Sequence, residues 1–418
     1  MKEEQKINGL PKDWKWVKLH EIVSLLGDGL HGTPVYSEDG DYYFINGNNL
    51  SDGKIIIKEN TKKVCQKQFD RHKKNLTDKT ILVSINGTIG NVAFYKNEKV
   101  ILGKSACYFN VKEDIDKYYI ALLLKGERFL RYANSSATGS TIKNVSLKAM
   151  REFELPLPPK ETQQQIVSKI EELFSELDKG IEELKTTQQQ LKVYRQAVLK
   201  WAFEGKLTNE DVKDGELPEG WQLQRLDDIG TWRGGGTPSK GNKEFWENGN
   251  ILWVSPKDMK SKVITDTIDK ITGEAIEMST AQLIPKGSVL FVVRSGILRR
   301  TLPVATTICD VTVNQDLKAL TPRAANPDYV FYYVEAKNDD IRKTCSKDGT
   351  TVESIETALL KNYQIPICSS EEQQQIVQEI ESRLSICDKI EETITNSLKQ
   401  AEALRQSILK KAFKGTLL

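Results

Sequence analysis

The sequence predicts an α+β protein with a pseudo-two-fold internal repeat, in which two long helices join two globular domains. Three observations support this fold class: a repeat with a period near 210 residues, two long stretches without proline that carry heptad-spaced apolar residues, and short apolar runs separated by turn signals. At 418 residues the chain is also too long for a single compact domain.

The repeat is strongest at the two ends of each unit. LPKDWKWVKLHEI at 10–22 returns as LPEGWQLQRLDDI at 217–229, and 139–159 matches 349–369 at an offset of 210. The same offset aligns QQQIV at 163–167 with QQQIV at 373–377, and 163–207 shares 20 of 45 residues with 373–417. The interiors match far more weakly. Each unit therefore has a constant opening, a variable interior and a constant tail, which predicts two interiors that do related work on different targets.

The tails are predicted to be long helices that form an antiparallel coiled coil with each other. They are rich in Glu, Gln, Lys and Leu, and each carries one narrow apolar stripe. At 1.5 Å per residue each helix is about 60–65 Å long. Gly205 and Gly415 follow the two helices and are typical of left-handed C-terminal caps. The predicted seam consists of Ile166, Ile170, Leu177, Leu184 and Leu191 in the first tail and Ile376, Ile380, Ile390, Ile394, Leu404 and Ile408 in the second.

The interiors are predicted to be α+β. Apolar runs at 80–85, 91–95, 288–293 and 311–320 indicate strands, and 118–133 and 328–343 indicate closing helices. The expected domain organisation is a first globular domain at 1–159, a first helix at 160–207, a second globular domain at 208–369 and a second helix at 370–418. The polar stretch 208–220 is expected to be a linker.

Composition and motifs argue against several functional classes. No apolar run reaches the length of about 18 residues that a membrane span requires, and no signal peptide is evident, so we expect a cytoplasmic protein. Six scattered cysteines without a CxxC pair and three histidines predict reduced thiols, no metal and no cofactor.

Candidate catalytic motifs are incomplete. The glycine-containing segment 236–242 has Asn242 where a phosphate-binding loop needs lysine. The nuclease-like residues Asp328 and Glu335 fall within one predicted helix. The methyltransferase-like string at 326–329 lacks a second proline, and we interpret Asn326 as a helix N-cap. The sequence therefore predicts no catalytic site.

Taken together, the motifs resemble the specificity subunit of Type I restriction–modification enzymes. The resemblance rests on Leu10-Pro11-Lys12-Asp13-Trp14, Leu217-Pro218-Glu219-Gly220-Trp221, 155–206 and 365–416, and it covers nearly the whole chain. The second unit departs slightly, with Ile365-Pro366-Ile367-Cys368 in place of Leu-Pro-Leu-Pro.

This resemblance implies a non-catalytic, DNA-binding subunit. Each globular domain would be a target-recognition domain that reads one half of a split double-stranded DNA site. The coiled coil would space the halves and dock two modification (adenine methyltransferase) subunits, while ATP-driven translocation and cleavage would belong to restriction subunits of the same complex. Two other classes stay open: a fused methyltransferase or nuclease with unrecognised motifs, and a coiled-coil scaffold that binds only proteins.

The charge distribution and loop composition suggest DNA contacts. Residues 1–159 carry 25 Lys and Arg against 19 Asp and Glu, whereas 208–369 carry 20 against 23, so basic side chains of the second domain must cluster to bind a polyanion. Arg suits bidentate reading of guanine, and Asn or Gln suits adenine. The candidates are Thr33, Lys62, Lys63, Arg71, Lys73, Lys74, Asn86, Thr88 and Ser140 in the first domain, and Arg233, Lys240, Lys257, Arg294, Arg299, Arg300, Asn314 and Gln315 in the second.

Overall fold

The computed structural model describes residues 10–139, 142–209, 211–213, 215–347 and 353–418. The chain divides into two compact units: the first comprises Met1–Lys185 with Thr395–Leu418, and the second comprises Thr186–Ile394. Residues 210 and 214 of the predicted linker lie outside the described part of the chain. Within that part, none of the helices combines the length and apolar character needed to cross a membrane.

The strands of the first unit are β1 Lys15–Lys18, β2 Val23–Asp28, β3 Tyr42–Ile45, β4 Leu50–Ser51, β5 Lys54–Ile55, β6 Lys63–Val64, β7 Thr80–Ser84, β8 Val92–Phe94, β9 Val100–Leu102, β10 Ala106–Val111 and β11 Glu154–Leu157. They form a four-stranded sheet of order β2-β10-β7-β8 and a three-stranded sheet of order β6-β3-β9, with two-stranded pairs β1-β11 and β4-β5. The helices of this unit are α1 Gln66–His72, α2 Lys117–Lys125, α3 Glu127–Ser136 and α4 Leu147–Glu152, followed by the long helix α5 Lys160–Phe203. The central strand β7 is buried along its whole length.

The strands of the second unit are β12 Gln222–Arg225, β13 Gly230–Gly234, β14 Ile251–Val254, β15 Val263–Ile264, β16 Asp269–Ile271, β17 Val289–Val292, β18 Val304–Thr307, β19 Val311–Val313, β20 Leu317–Pro322 and β21 Gln364–Ile367. They form a five-stranded sheet of order β13-β20-β17-β18-β15, a three-stranded sheet of order β16-β14-β19 and the pair β12-β21. The helices of this unit are α6 Gly273–Glu277, α7 Pro327–Ala336, α8 Asn338–Thr344 and α9 Thr357–Asn362, followed by the long helix α10 Ser370–Lys414. Both units are thus α+β, as the sequence predicted.

Three predicted elements are each divided in two. The closing helix expected at 118–133 is α2 and α3, because Gly126 adopts an extended conformation with φ −74° and ψ 151°. The one expected at 328–343 is α7 and α8, separated at Lys337. The strand expected at 311–320 is β19 and β20, because the chain passes from the three-stranded to the five-stranded sheet at Asn314–Asp316. Each break falls at a short polar run, at 125–128, 337–340 and 314–316 respectively, which the sequence analysis passed over.

In the first unit, the start of α5 lies beside the end of α10. Ile166 and Ile170 belong to the same buried core as Ile408 and Ala412. Nearer the middle of both helices, an Arg405 guanidinium nitrogen forms an ion pair with Asp178 and also lies over the Phe174 ring, 4.5 Å from its centroid. The two helix segments therefore run in opposite directions within this unit.

The second unit repeats this arrangement with the helices exchanged. Val198 and Phe203 at the end of α5 share a core with Ile376 and Ile380 at the start of α10. Further along, Arg195 of α5 forms ion pairs with Asp388 at 2.6 Å and with Glu391 at 3.2 Å. Arg195 and Arg405 occupy corresponding positions of the repeat, as do Asp178 and Asp388, so each unit contains one copy of the same cross-helix pair.

Most of the predicted seam residues are withdrawn from solvent, but two are not. Ile166, Ile170, Leu191, Ile376, Ile380, Ile394 and Ile408 are buried, and Leu177 and Leu184 are half-buried. Ile390 and Leu404 remain 39% and 51% exposed. The positions one residue later hold Glu391 and Arg405, whose charged side chains form ion pairs with α5. A search for apolar heptads passes over such charged positions and selects the neighbouring Ile and Leu instead.

The motifs that recur in the sequence form the same junction in both units. Gln163 of α5 donates from Nε2 to the carbonyl oxygen five residues earlier at 2.9 Å, and its Oε1 accepts from the backbone N–H of Asp116 at 2.8 Å. Gln373 of α10 makes the same two bonds, at 2.9 Å to the carbonyl five residues earlier and at 2.8 Å from Asn326. Asp116 and Asn326 cap α2 and α7. The predicted N-cap role of Asn326 is confirmed.

The glycines after the long helices have the predicted left-handed conformation, with φ +78° at Gly205 and +74° at Gly415. A Cβ at Gly205 would lie 2.1 Å from Cγ of Pro218, and one at Gly415 would lie 2.4 Å from Cγ of Pro11. The repeated Leu-Pro-x-x-Trp motifs thus pack directly against the ends of the helices. These contacts join the two parts of each repeat that are most similar in sequence, its opening and its tail.

Candidate nucleic-acid interface

The first unit carries a surface of lysines supported by aromatic rings on the three-stranded sheet and α1. In each of four pairs, a lysine Nζ lies 5.9–6.0 Å from the centroid of an aromatic ring. The pairs are Lys62 with Tyr36, Lys63 with Tyr43, Lys73 with Phe69 and Lys99 with Tyr42. Contacts of this kind hold a flexible ammonium group near the surface without neutralising its charge. We call this set the basic–aromatic surface. Among the described residues, Lys62, Lys63 and Lys99 form no ion pair, and such ammonium groups are suited to bind phosphate oxygens.

The other predicted basic residues of the first unit lie on or beside the same elements. Arg71 is exposed in the last turn of α1 and Lys74 is half-buried just beyond it. Lys73 also forms an ion pair with Asp70 at 3.1 Å, so part of its charge is balanced locally. The aromatic partners and Lys99 were missed by the sequence reasoning, which sought runs of basic residues rather than alternation of basic and aromatic side chains along a strand.

The polar candidates of the first unit lie in loops. Thr33 and Thr88 are exposed, and Asn86 is half-buried just after β7. The Nδ2 of Asn86 donates to Oδ1 of Asn144 at 3.1 Å, and the two residues also form an isolated antiparallel bridge. Ser140 lies outside the described residues. Asn144 was not among the predicted residues, although it directly precedes the buried Val145.

In the second unit, Arg294 and Gln315 line one open cleft of about 970 Å³, together with Pro256, Asp316 and Lys347. Arg294 donates from Nε to Oδ1 of Asp316 at 2.7 Å. The predicted residue Asn314 is buried, and it stabilises the turn because its Nδ2 donates to Asp316 Oδ2 at 3.2 Å while its Oδ1 accepts from the Asp316 N–H at 3.0 Å.

The remaining candidates of the second unit surround the cleft less closely or are already paired. Arg299 forms an ion pair with Glu353 at 3.2 Å, whereas Arg300 is exposed. Lys240 and Lys257 are exposed in loops, and Arg233 is half-buried on β13. Asp316 and Lys347 were missed by the sequence reasoning. Asp316 directly follows the candidates Asn314 and Gln315, so its position in the sequence was a possible signal. Its ion pair with Arg294 joins residues 22 positions apart in the sequence, and the sequence gave no sign of that contact.

An ion-pair network holds the segment between β14 and β15. Lys262 donates to Glu381 Oε1 at 2.6 Å and to Tyr332 Oη at 3.2 Å, and it lies 3.0 Å from Asp328 Oδ1. Burial favours the neutral amine, but the hydrogen bonds from these groups outweigh it and raise the pKa of Lys262 above its ordinary value. Lys262 is therefore a cation at physiological pH, and it positions the loop that contains Lys257.

The same network bears on the nuclease-like string. Asp328 and Glu335 both lie on α7, and Asp328 is engaged by Lys262. Among the described residues no three His, Cys, Asp or Glu side chains come together as metal ligands would. The arrangement is that of an ion pair at a helix start.

Comparison with known proteins gives a consistent result. The family model described as "Type I restriction modification DNA specificity domain" matches this chain twice, at residues 11–186 and 218–400. Among curated relatives, the EcoR124I/EcoR124II specificity subunit of Escherichia coli is 41% identical over 187 residues, which are 44% of this chain and 43% of that protein. The MjaIX specificity subunit of Methanocaldococcus jannaschii is 25% identical over 430 residues, covering 99% of this chain and 96% of that protein.

Solved structures show the same fold over the whole length. The HsdS subunit from Thermoanaerobacter tengcongensis superposes with a TM-score of 0.63 at 20% identity, covering 99% of both chains. A chain from a structure described as "Structural basis underlying complex assembly and conformational transition of the type I R-M system" gives a TM-score of 0.74 at 19% identity, covering 98% of this chain and 100% of that one. Since the two family matches together span most of its length, this chain belongs to the Type I restriction–modification DNA specificity family, as a specificity subunit.

Proposed function

We propose that this specificity subunit reads a split double-stranded DNA target, with one half-site bound by each globular domain. In this proposal 1–159 and 208–369 are the target-recognition domains, and the tails 160–207 and 370–418 are the connecting helices. The observation that carries it is that each matched half contains its own α+β domain with its own polar surface: the basic–aromatic surface in the first and the Arg294 cleft in the second. As a specificity subunit, the chain supplies recognition and not catalysis.

The partners follow from this role. Double-stranded DNA and methyltransferase and restriction subunits are the partners of the complex, and we assign two modification subunits to each specificity subunit because the chain contains two repeats. Adenine methylation and ATP-driven translocation and cleavage are then carried out by those subunits.

DNA binding is tested by the salt dependence of duplex affinity for the chain in complex with its modification subunits. Neutralising the basic–aromatic surface by changing Lys62, Lys63 and Lys99 to Gln should flatten the slope of log affinity against log salt by about 0.9 for each phosphate that is no longer neutralised. The matched control changes Lys169, Lys192 and Lys200 of α5 to Gln. If both triple variants behave alike, the basic–aromatic surface does not bind the backbone. If the unaltered complex shows no salt-dependent binding, the proposal of DNA recognition fails.

We further propose that the two long helices form an antiparallel coiled coil that acts as a spacer. The corresponding ion pairs of Arg195 with Asp388 and of Arg405 with Asp178 support this pairing. Cysteines placed at 195 and 388, in a background that lacks the native exposed thiols, should form a disulfide on mild oxidation. Cysteines at 195 and 405, which would be adjacent in a parallel pair, should not. The reverse pattern would contradict the antiparallel arrangement.

A further inference from the structure

Asn86 and Arg294 occupy the same place in their units. Each lies two residues beyond the central strand, β7 or β17, and each forms an isolated antiparallel bridge with the segment that precedes α4 or α9: Asn86 with Asn144, and Arg294 with Ser354. Asn144 and Ser354 are themselves 210 residues apart, the offset of the internal repeat. The two positions therefore correspond although the surrounding interiors differ in sequence.

The backbone on the other side is also the same. The N–H of Ile85 donates to the carbonyl of Ser105 at 3.0 Å, and the N–H of Val293 donates to the carbonyl of Asp316 at 2.8 Å. The backbone at residues 86 and 294 is thus fixed on one side by the bridge to Asn144 or Ser354 and on the other by the hydrogen bond to Ser105 or Asp316. A side chain at this position has a well-defined origin and direction, which base recognition requires.

In the second unit, Asp316 fixes the orientation of the Arg294 guanidinium. Its Oδ1 accepts from Arg294 Nε at 2.7 Å, and its Oδ2 accepts from the buried Asn314 at 3.2 Å. Among the described residues, no acceptor is bound to the terminal nitrogens of Arg294, and its side chain is 57% exposed. The donor-rich end of the guanidinium therefore faces the cleft while Nε is occupied.

The chemistry of this pair selects one kind of ligand. Two parallel N–H donors match the N7 and O6 acceptors of guanine in the major groove. A phosphate is a poorer partner here, because the Asp316 carboxylate balances the positive charge and repels a second anion. The first unit lacks this pair: Asn86 stands in place of Arg294, and Ser105 in place of Asp316, where Ser105 Oγ donates to Asn46 Oδ1 at 3.0 Å. The carboxylate occurs in the unit that has an arginine to orient.

We propose that Arg294 reads a guanine in the half-site of the second unit and that Asp316 is its positioning residue. This rests on the proposed function of the unit as a DNA reader. The corresponding position in the first unit holds Asn86, an amide side chain, so the two half-sites differ at the base pair read from this place.

The test is to map methylated sites in hosts that express the modification subunits with the unaltered chain, Arg294→Ala, Arg294→Gln or Asp316→Asn. Arg323→Ala, which alters another arginine of the same unit outside the cleft, is the matched control. Asn86→Ala, in the first unit, is the second control, and it should leave recognition of the second half-site unchanged. We expect Arg294→Ala and Arg294→Gln to lose roughly 10–100-fold discrimination for guanine at one position of the second half-site, since alanine has no donor and a glutamine amide matches adenine rather than guanine. The first half-site should stay unchanged.

Asp316→Asn should weaken discrimination at the same base pair and at no other, which a general loss of folding would not do. If methylation by a variant is too weak to map, competition binding with duplexes that carry 7-deazaguanine at that position makes the same comparison. The analogue should weaken DNA binding by the unaltered complex, and it should leave DNA binding by the Arg294→Ala complex unchanged. Retention of discrimination for guanine by Arg294→Ala, or a second half-site without a G·C pair at the affected position, overturns the assignment. A wild-type complex that methylates no split sequence would instead refute the proposed function.

Discussion

At the residue scale, the repeated glutamines at the start of the long helices stabilise the fold through buried hydrogen bonds to the backbone. Gln373 is 1% exposed and joins the carbonyl of Cys368 to the N–H of Asn326. Gln373→Leu leaves both backbone groups without this partner, so we expect a loss of about 1–3 kcal/mol in stability, seen as a lower thermal midpoint. Gln374→Leu changes an exposed neighbour and should stay within about 0.5 kcal/mol of the unaltered protein. Equal effects of the two changes would show that the bonds of Gln373 are unimportant.

Thiol chemistry is also decided residue by residue. All six cysteines are free thiols; Cys65 and Cys309 are exposed, and the other four are buried. Burial raises the pKa of Cys368 to about 12 and also raises that of Cys107. Because the thiolate is the reactive form, we expect iodoacetamide to label only Cys65 and Cys309 in the native protein at pH 8, and all six after denaturation. Peptide mass spectrometry distinguishes these outcomes, and rapid native labelling of Cys368 would contradict the burial.

At the element scale, one glycine inside α5 and one after α10 have opposite expected effects on substitution. Gly415 has φ +74°, and a Cβ there would lie 2.4 Å from Cγ of Pro11, so Gly415→Ala should destabilise the first unit by about 1–2 kcal/mol. Gly180 lies inside α5, and nothing lies within 4 Å of the point that a Cβ would occupy, so Gly180→Ala should stabilise by about 0.5–1 kcal/mol. Thermal unfolding of both variants measures the difference. A stabilising Gly415→Ala would show that the cap and the Pro11 contact do not restrain the helix end.

At the scale of the whole molecule, helix length should set the spacing of the two half-sites. Inserting four residues into α5 after Gln190 lengthens the helix by about 6 Å and rotates the chain beyond it by about 40°. Four residues are close to a heptad-compatible stutter, so the helix pairing can persist. We expect the variant to keep both half-site sequences and to prefer an unread spacer about one or two base pairs longer, as mapped by methylome sequencing.

The control for this prediction inserts the same four residues after Glu216, in the polar stretch before Pro218, which should leave the spacer unchanged. If the α5 insertion methylates the original spacing with undiminished preference, then the spacing is fixed by the partner subunits and not by the helices.

The sequence alone was sufficient for features that depend on local or repeated signals. The two long helices, the α+β class of both interiors, the left-handed Gly205 and Gly415, and the N-cap at Asn326 were all predicted correctly. Each has a short-range physical cause: helix propensity, the φ angle that only glycine adopts easily, or a side chain that caps the residues immediately after it.

Tertiary structure alone decided which residues meet. Arg294 and Asp316 are 22 positions apart and come together because β17 and β20 pair, and Asn86 reaches Asn144 only through a bridge across 58 residues. Ile390 and Leu404 stay exposed because Glu391 and Arg405 take the positions that face α5, and a hydrophobic pattern cannot reveal a charged seam residue. The apolar run at 311–320 is likewise divided at Asn314 between two sheets, β19 in one and β20 in the other, and tertiary structure decided that division. Contacts between distant strands follow from pairing register and burial of the whole domain, which no local window of the sequence contains.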